Sequence, residues 1–115
     1  MTIKILIFSI LILASTHAFA FDGEGLYKAC TKKNSQITDE LVCTFYIQGV
    51  LDTIHIQKSA DIALQDICVP KDASSLQKKQ IVINYLKNNP TDWKTYASYS
   101  IIMAMGQKFP CKKNN

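Results

Sequence analysis

From Ile5 to Ala14 the chain is almost wholly apolar, whereas beyond Phe21 apolar residues recur every three or four positions. The second pattern is that of helices turning one face inward, and no stretch alternates as a half-buried strand would. The expected fold class is all-α, a compact bundle of four to five short helices. A first helix is expected over roughly Gly23 to Thr31, with Leu26, Ala29 and Cys30 clustered on one face. The polar run from Lys32 to Thr38 reads as a loop. Thr38 then suits the N-cap of a second helix, and Asp39 and Glu40 in its first turn complement the positive end of the helix dipole. Val42, Phe45, Tyr46, Gly49, Val50 and Ile54 form its expected apolar stripe. A glycine inside a helix costs about 1 kcal/mol against alanine, so Gly49 is expected to permit a close helix crossing.

Gln57 to Ala73 is weakly patterned. Ile62, Ala63, Leu64 and Ile67 suggest a short helical turn, which Pro70 ends because the residue before a proline is driven from helical geometry. Ser74 and Gln77 fit a capping box that opens a third helix running to about Asn88. Leu76, Val82, Ile83, Tyr85 and Leu86 are its expected apolar contacts. Asn89 and Pro90 suit the cap and first position of a fourth helix. Trp93, Ala97, Ile101, Ala104, Met105 and Lys108 are spaced along its inward face, and Phe109-Pro110-Cys111 terminates it. Such short connections favour antiparallel neighbours.

The apolar start has its own logic. Lys4, the run from Ile5 to Ala14, and Ala18-Phe19-Ala20 make the positive, apolar and small-x-small parts of a secretory signal. A membrane-spanning helix needs about 20 apolar residues, and this run stops short at Ser15. Residues 1–20 are therefore expected to be a cleaved signal peptide. Residues 21–115 form a single helical domain that keeps no stable membrane anchor.

All four cysteines, Cys30, Cys43, Cys68 and Cys111, fall after that cleavage point. An even count in an exported chain implies two disulfides, and the count alone leaves three connectivities open. A small domain buries only about two-thirds of its unfolded surface and gains from such staples.

Loss of Lys4 with the signal lowers the net charge from +4 to about +3. The chain has no arginine, and hence no bidentate fork for phosphates or base edges. The lysines are scattered, so a solvated basic surface explains them and nucleic acid is not an expected partner. Catalysis is also not expected. His55 is the one histidine after the signal; Asp52 lies one turn before it, but no serine or free thiol is implied as their partner. Cys43 is about 18 Å away along the helix, beyond the reach of a dyad. No phosphate loop, zincin motif or EF-hand loop occurs, and neither a metal nor a cofactor is expected. Tyr46, Tyr85, Trp93, Tyr96 and Tyr99 are read as core and interface aromatics at helical spacing.

The run Cys43-Thr44-Phe45-Tyr46-Ile47-Gln48-Gly49-Val50-Leu51-Asp52 resembles the Cys-x-x-Tyr-Ile-x-Gly-x-x-Asp signature of the Rap/Tai immunity proteins of type VI secretion systems. The likeness continues through Cys68-Val69-Pro70, Gln77 to Leu86, Asn89-Pro90, Ala104 and Phe109-Pro110-Cys111, with Leu26 and Cys30 upstream. Phe45 departs from the glycine often found before that tyrosine, and Met105 from the leucine that commonly follows the alanine. The resemblance implies a small, helical, periplasmic protein that often forms homodimers. It implies that the partner is a peptidoglycan amidase effector whose catalytic cleft is blocked. With it goes the pairing Cys30–Cys43 and Cys68–Cys111, worth about 3 and 4 kcal/mol by loop entropy.

Inhibition of that kind needs a rigid scaffold whose ordering cost is met beforehand. The signature residues Tyr46, Gly49 and Asp52 are expected to pack within the scaffold. The effector-binding surface is expected on the loop Gln57 to Ala73, through Asp61, Asp66, Lys71 and Asp72, with the Asn88 to Trp93 connection second. Two other function classes fit the composition. A periplasmic acid-stress chaperone would loosen below about pH 4 as carboxylates protonate. A secreted carrier would need a ligand cavity.

Overall fold

The computed structural model describes residues 20–32, 37–59 and 66–112. The residues before Ala20, expected to belong to a signal peptide, lie outside them, as do Asp61 and the expected turn at Ile62–Leu64. Four α-helices carry the domain: α1 Gly23–Thr31, α2 Ile37–Ser59, α3 Ser75–Asn88 and α4 Ala97–Lys108. A 3-10 turn, Pro90–Lys94, precedes α4. The all-α expectation holds, as do the two disulfides, Cys30–Cys43 and Cys68–Cys111.

Helix α1 opens where Asp22 turns its carboxylate onto the Gly25 N–H (2.8 Å), which satisfies one of the orphan donors of a helix start. Short as it is, α1 touches α2, α3, α4 and the 3-10 turn, so the bundle assembles around it. Leu26 is fully buried there, against a core that includes Cys43, Ile47, Val82, Leu86, Ile101 and Met105. Helix α3 begins as expected: Ser74 Oγ accepts the Gln77 N–H at 3.1 Å, the first half of a capping box. Leu76 is exposed rather than in the core, and so is Lys108 at the end of α4.

Three expectations are corrected. Thr38 does not cap α2, because the helix already runs from Ile37 and holds Thr38 in its first turn. The fourth helix is broken. Asn89 and Pro90 open the 3-10 turn and not α4, and the Asn89 side chain makes no N-cap bond there; it turns back to Tyr85 O at 2.8 Å and so closes α3. Thr95 and Tyr96 are extended because the chain there pairs with residues 21–23. Gly23 N–H donates to Thr95 O and Ala97 N–H to Phe21 O, both at 3.0 Å. The apolar stripe of α2 is also rotated from its expected position. The buried residues are Cys43, Ile47 and Leu51, while Val42, Phe45 and Gly49 face out. The Cys30–Cys43 bond accounts for this, since it draws Cys43 inward and fixes the rotation of the whole helix.

Ile67 is extended and lies antiparallel to Pro110. Cys68 N–H donates to Phe109 O (2.8 Å) and Cys111 N–H to Asp66 O (3.0 Å), so the second disulfide closes a short two-chain ladder. Together these links hold the 66–71 segment beside the second half of α2.

Candidate functional site

Helix α2 presents three faces to three environments. One packs inward. A second, from Gln48 through Asp52 and His55 to Lys58, recurs at helical spacing and forms one wall of a cleft of about 390 Å³. The opposite wall is the segment from Ile67 to Lys71, and Lys78 of α3 closes one end. Leu51, Ile54, Ile67, Val69 and Pro70 give the cleft an apolar lining between its polar groups.

The cations of this cleft rest on neutral partners. Lys58 Nζ donates to Ile67 O at 3.0 Å and lies 2.8 and 2.9 Å from the sulfurs of Cys68 and Cys111. Lys78 Nζ donates to Gln48 Oε1 at 3.2 Å, and Gln48 Nε2 in turn donates to Asp52 Oδ1 at 2.7 Å. The Gln48 amide is thus oriented by a cation on one side and a carboxylate on the other. Among the described residues, the ion pairs are Lys28–Glu24, Lys32–Asp39 and Lys79–Glu40, and none involves a lysine of the cleft. Among the described residues the cleft lining contains no serine, threonine or free cysteine, and the nearby Ser59 hydroxyl donates to the His55 carbonyl oxygen at 3.0 Å.

The third face of α2 looks outward and carries no charge. Thr38, Val42, Phe45, Gly49, Thr53 and Ile56 follow one another at three- and four-residue steps along a helix about 35 Å long. Phe45 is 66% exposed and Ile56 67% exposed. A Cβ added at Gly49 would meet nothing within 4 Å. The close crossing expected at Gly49 is therefore absent among the described residues of this chain.

The residues singled out in the sequence are not brought into one place. Lys71 lines the cleft, and Asp72 is exposed beside it in the turn after Pro70. Asp66 is exposed on the other side of the segment, near Ile102, Met103 and Gln107 of α4. Of the signature residues, Tyr46 is half-buried and meets Phe21 edge-on at 4.9 Å, as a packing residue does. Gly49 and Asp52 are exposed among the described residues. Sequence reading missed the cleft residues Gln48, Lys58 and Lys78. The first two share a helical face with Asp52 and His55, a signal masked by the stronger apolar periodicity.

The family model that describes the Rap1a immunity proteins matches residues 22–111, from the cap of α1 to the last cysteine. This chain belongs to the Rap1a immunity proteins. The match takes in all four helices and both disulfides of the immunity domain. No curated protein and no solved structure matches the chain. In this Rap1a immunity protein no helix among the described residues is long and apolar enough to cross a membrane. Nor do three metal-binding side chains gather anywhere among those residues.

Proposed function

We propose that the protein is an immunity protein of the periplasm, exported by cleavage after Ala20, that binds a type VI secretion amidase effector. It acts without catalysis of its own, by occupying the effector's catalytic cleft so that the peptide stems of the cell wall cannot enter. The observation that carries this reading is the Rap1a family match across residues 22–111. The two disulfides support it, because they persist in an oxidising compartment and hold a helical scaffold rigid before binding. Lys71 and Asp72 are the contact residues we place on the effector side, with Asp66 and Asp61 flanking them in sequence.

The outer face of α2 belongs in the same proposal to a second copy of the chain. An antiparallel crossing centred on Gly49 sets Phe45 of each copy against Thr53 of the other, and Val42 against Ile56. The pattern is self-complementary, as a two-fold interface must be. A glycine at the crossing lets the two backbones approach.

The test is growth of cells that export a candidate amidase effector, encoded beside this gene, to their periplasm. Co-expression of the full chain is expected to restore growth, and deletion of residues 2–20 to abolish the rescue. Lysis in the presence of folded, exported protein would refute the proposal.

A further inference from the structure

We propose that the cleft between α2 and the Ile67–Lys71 segment is a carboxylate-binding site that accepts an aspartate or glutamate side chain of the partner protein. This deepens the immunity reading and rests on it. Among the described residues, three ammonium groups, Lys58, Lys71 and Lys78, line the cleft against one carboxylate, Asp52. The acceptors that Lys58 and Lys78 now hold are poor ones. They are a main-chain carbonyl, two disulfide sulfurs and an amide oxygen. Sulfur is a weak acceptor, and a charged acceptor makes a hydrogen bond about twice as strong as a neutral one. An entering carboxylate would therefore give whichever of these lysines it meets a better acceptor than it holds now.

The lining also selects among anions. Leu51, Ile67, Val69 and Pro70 offer apolar surface to the methylene stem of an acidic side chain. A free phosphate has nothing to lay there.

Two experiments test the site. The first titrates the oxidised, isotope-labelled protein with acetyl-Ala-Leu-Glu-Leu-Ala-amide, with its glutamine counterpart, and with inorganic phosphate, at constant ionic strength. The glutamate peptide is expected to shift the Gln48 side-chain amide, His55 and Val69 signals saturably, and the glutamine peptide to bind at least fivefold more weakly. Lys58→Gln and Lys78→Gln are each expected to weaken the glutamate peptide about two- to fivefold. Lys87→Gln, on the exposed side of α3, is expected to leave it unchanged. Equal shifts from the glutamine peptide or from phosphate, or unchanged binding in the Lys58→Gln/Lys78→Gln variant, would overturn the assignment.

The second experiment is the growth assay with Lys58→Gln/Lys71→Gln/Lys78→Gln, its fold checked by circular dichroism. Survival at least tenfold below that given by the unmodified chain is expected. Full rescue by this variant would reject the cleft and leave the immunity reading standing, whereas failure of the unmodified chain would reject both.

Discussion

Gly23 and Gly49 are both helical glycines, yet their surroundings are opposite. A Cβ at Gly23 would lie 2.6 Å from Asp92 O and 3.0 Å from Trp93 Cα, main-chain atoms that cannot swing aside. At Gly49 it would meet nothing. Gly23→Ala is therefore expected to destabilise the fold by about 1–3 kcal/mol, the cost of overpacking. Gly49→Ala is expected to stabilise the dilute monomer by up to about 1 kcal/mol, through helix propensity alone. Thermal unfolding at low concentration checks both signs. Sedimentation at high concentration is expected to show Gly49→Ala weakening self-association, because the added methyl stands at the proposed crossing. Such differences are illegible in sequence. Gly49 was assigned to a buried stripe because apolar residues surround it on α2, and periodicity cannot choose between two apolar faces. The bond from Cys43 to Cys30 makes that choice.

Among the elements, α3 is legible from its cap, since Ser74 holds the N–H three residues on, and α1 from the clustering of Leu26, Ala29 and Cys30 on one face. The break between the 3-10 turn and α4 was not legible, because it depends on pairing with residues 21–23, far away in sequence. What holds that turn to α3 is a pair of polar links. Trp93 Nε1–H donates to Leu86 O at 2.8 Å, while the ring stacks on Tyr27 at 4.9 Å. Tyr85 donates its hydroxyl to Asp92 Oδ2 at 2.5 Å. Burial first, and then this bond to a carboxylate, push the Tyr85 hydroxyl well above the ordinary phenol range. The folded state thus holds the proton more tightly than the unfolded chain does. The resulting stability is complete below about pH 10, where a free tyrosine begins to ionise, and is lost as the pH rises further. Tyr85→Phe is expected to cost about 1 kcal/mol at neutral pH. It is also expected to flatten the fall in stability above pH 10, as read by denaturant unfolding across that range.

At the scale of the molecule, α2 separates two surfaces that have different chemistry. One is uncharged and open at Gly49, and the other is a lysine-lined cleft backed by the Cys68–Cys111 bond. The sequence carried the helical class, the cysteine staples and the family resemblance, since each depends on local spacing or on ordered motifs. It did not carry the cleft, whose Lys58, Lys71 and Lys78 come from three separate segments and line one cleft only once the 66–71 segment is bonded to residues 109–111. Asp66, which was grouped with Lys71 and Asp72, is turned to another side by that same pairing. The most direct measurement is hydrolysis of purified peptidoglycan by the effector encoded beside this gene, with increasing amounts of the oxidised protein added. Inhibition that saturates at one immunity chain per effector is expected, with both proteins recovered intact. Undiminished hydrolysis at a large excess of folded protein would contradict immunity by cleft blockade.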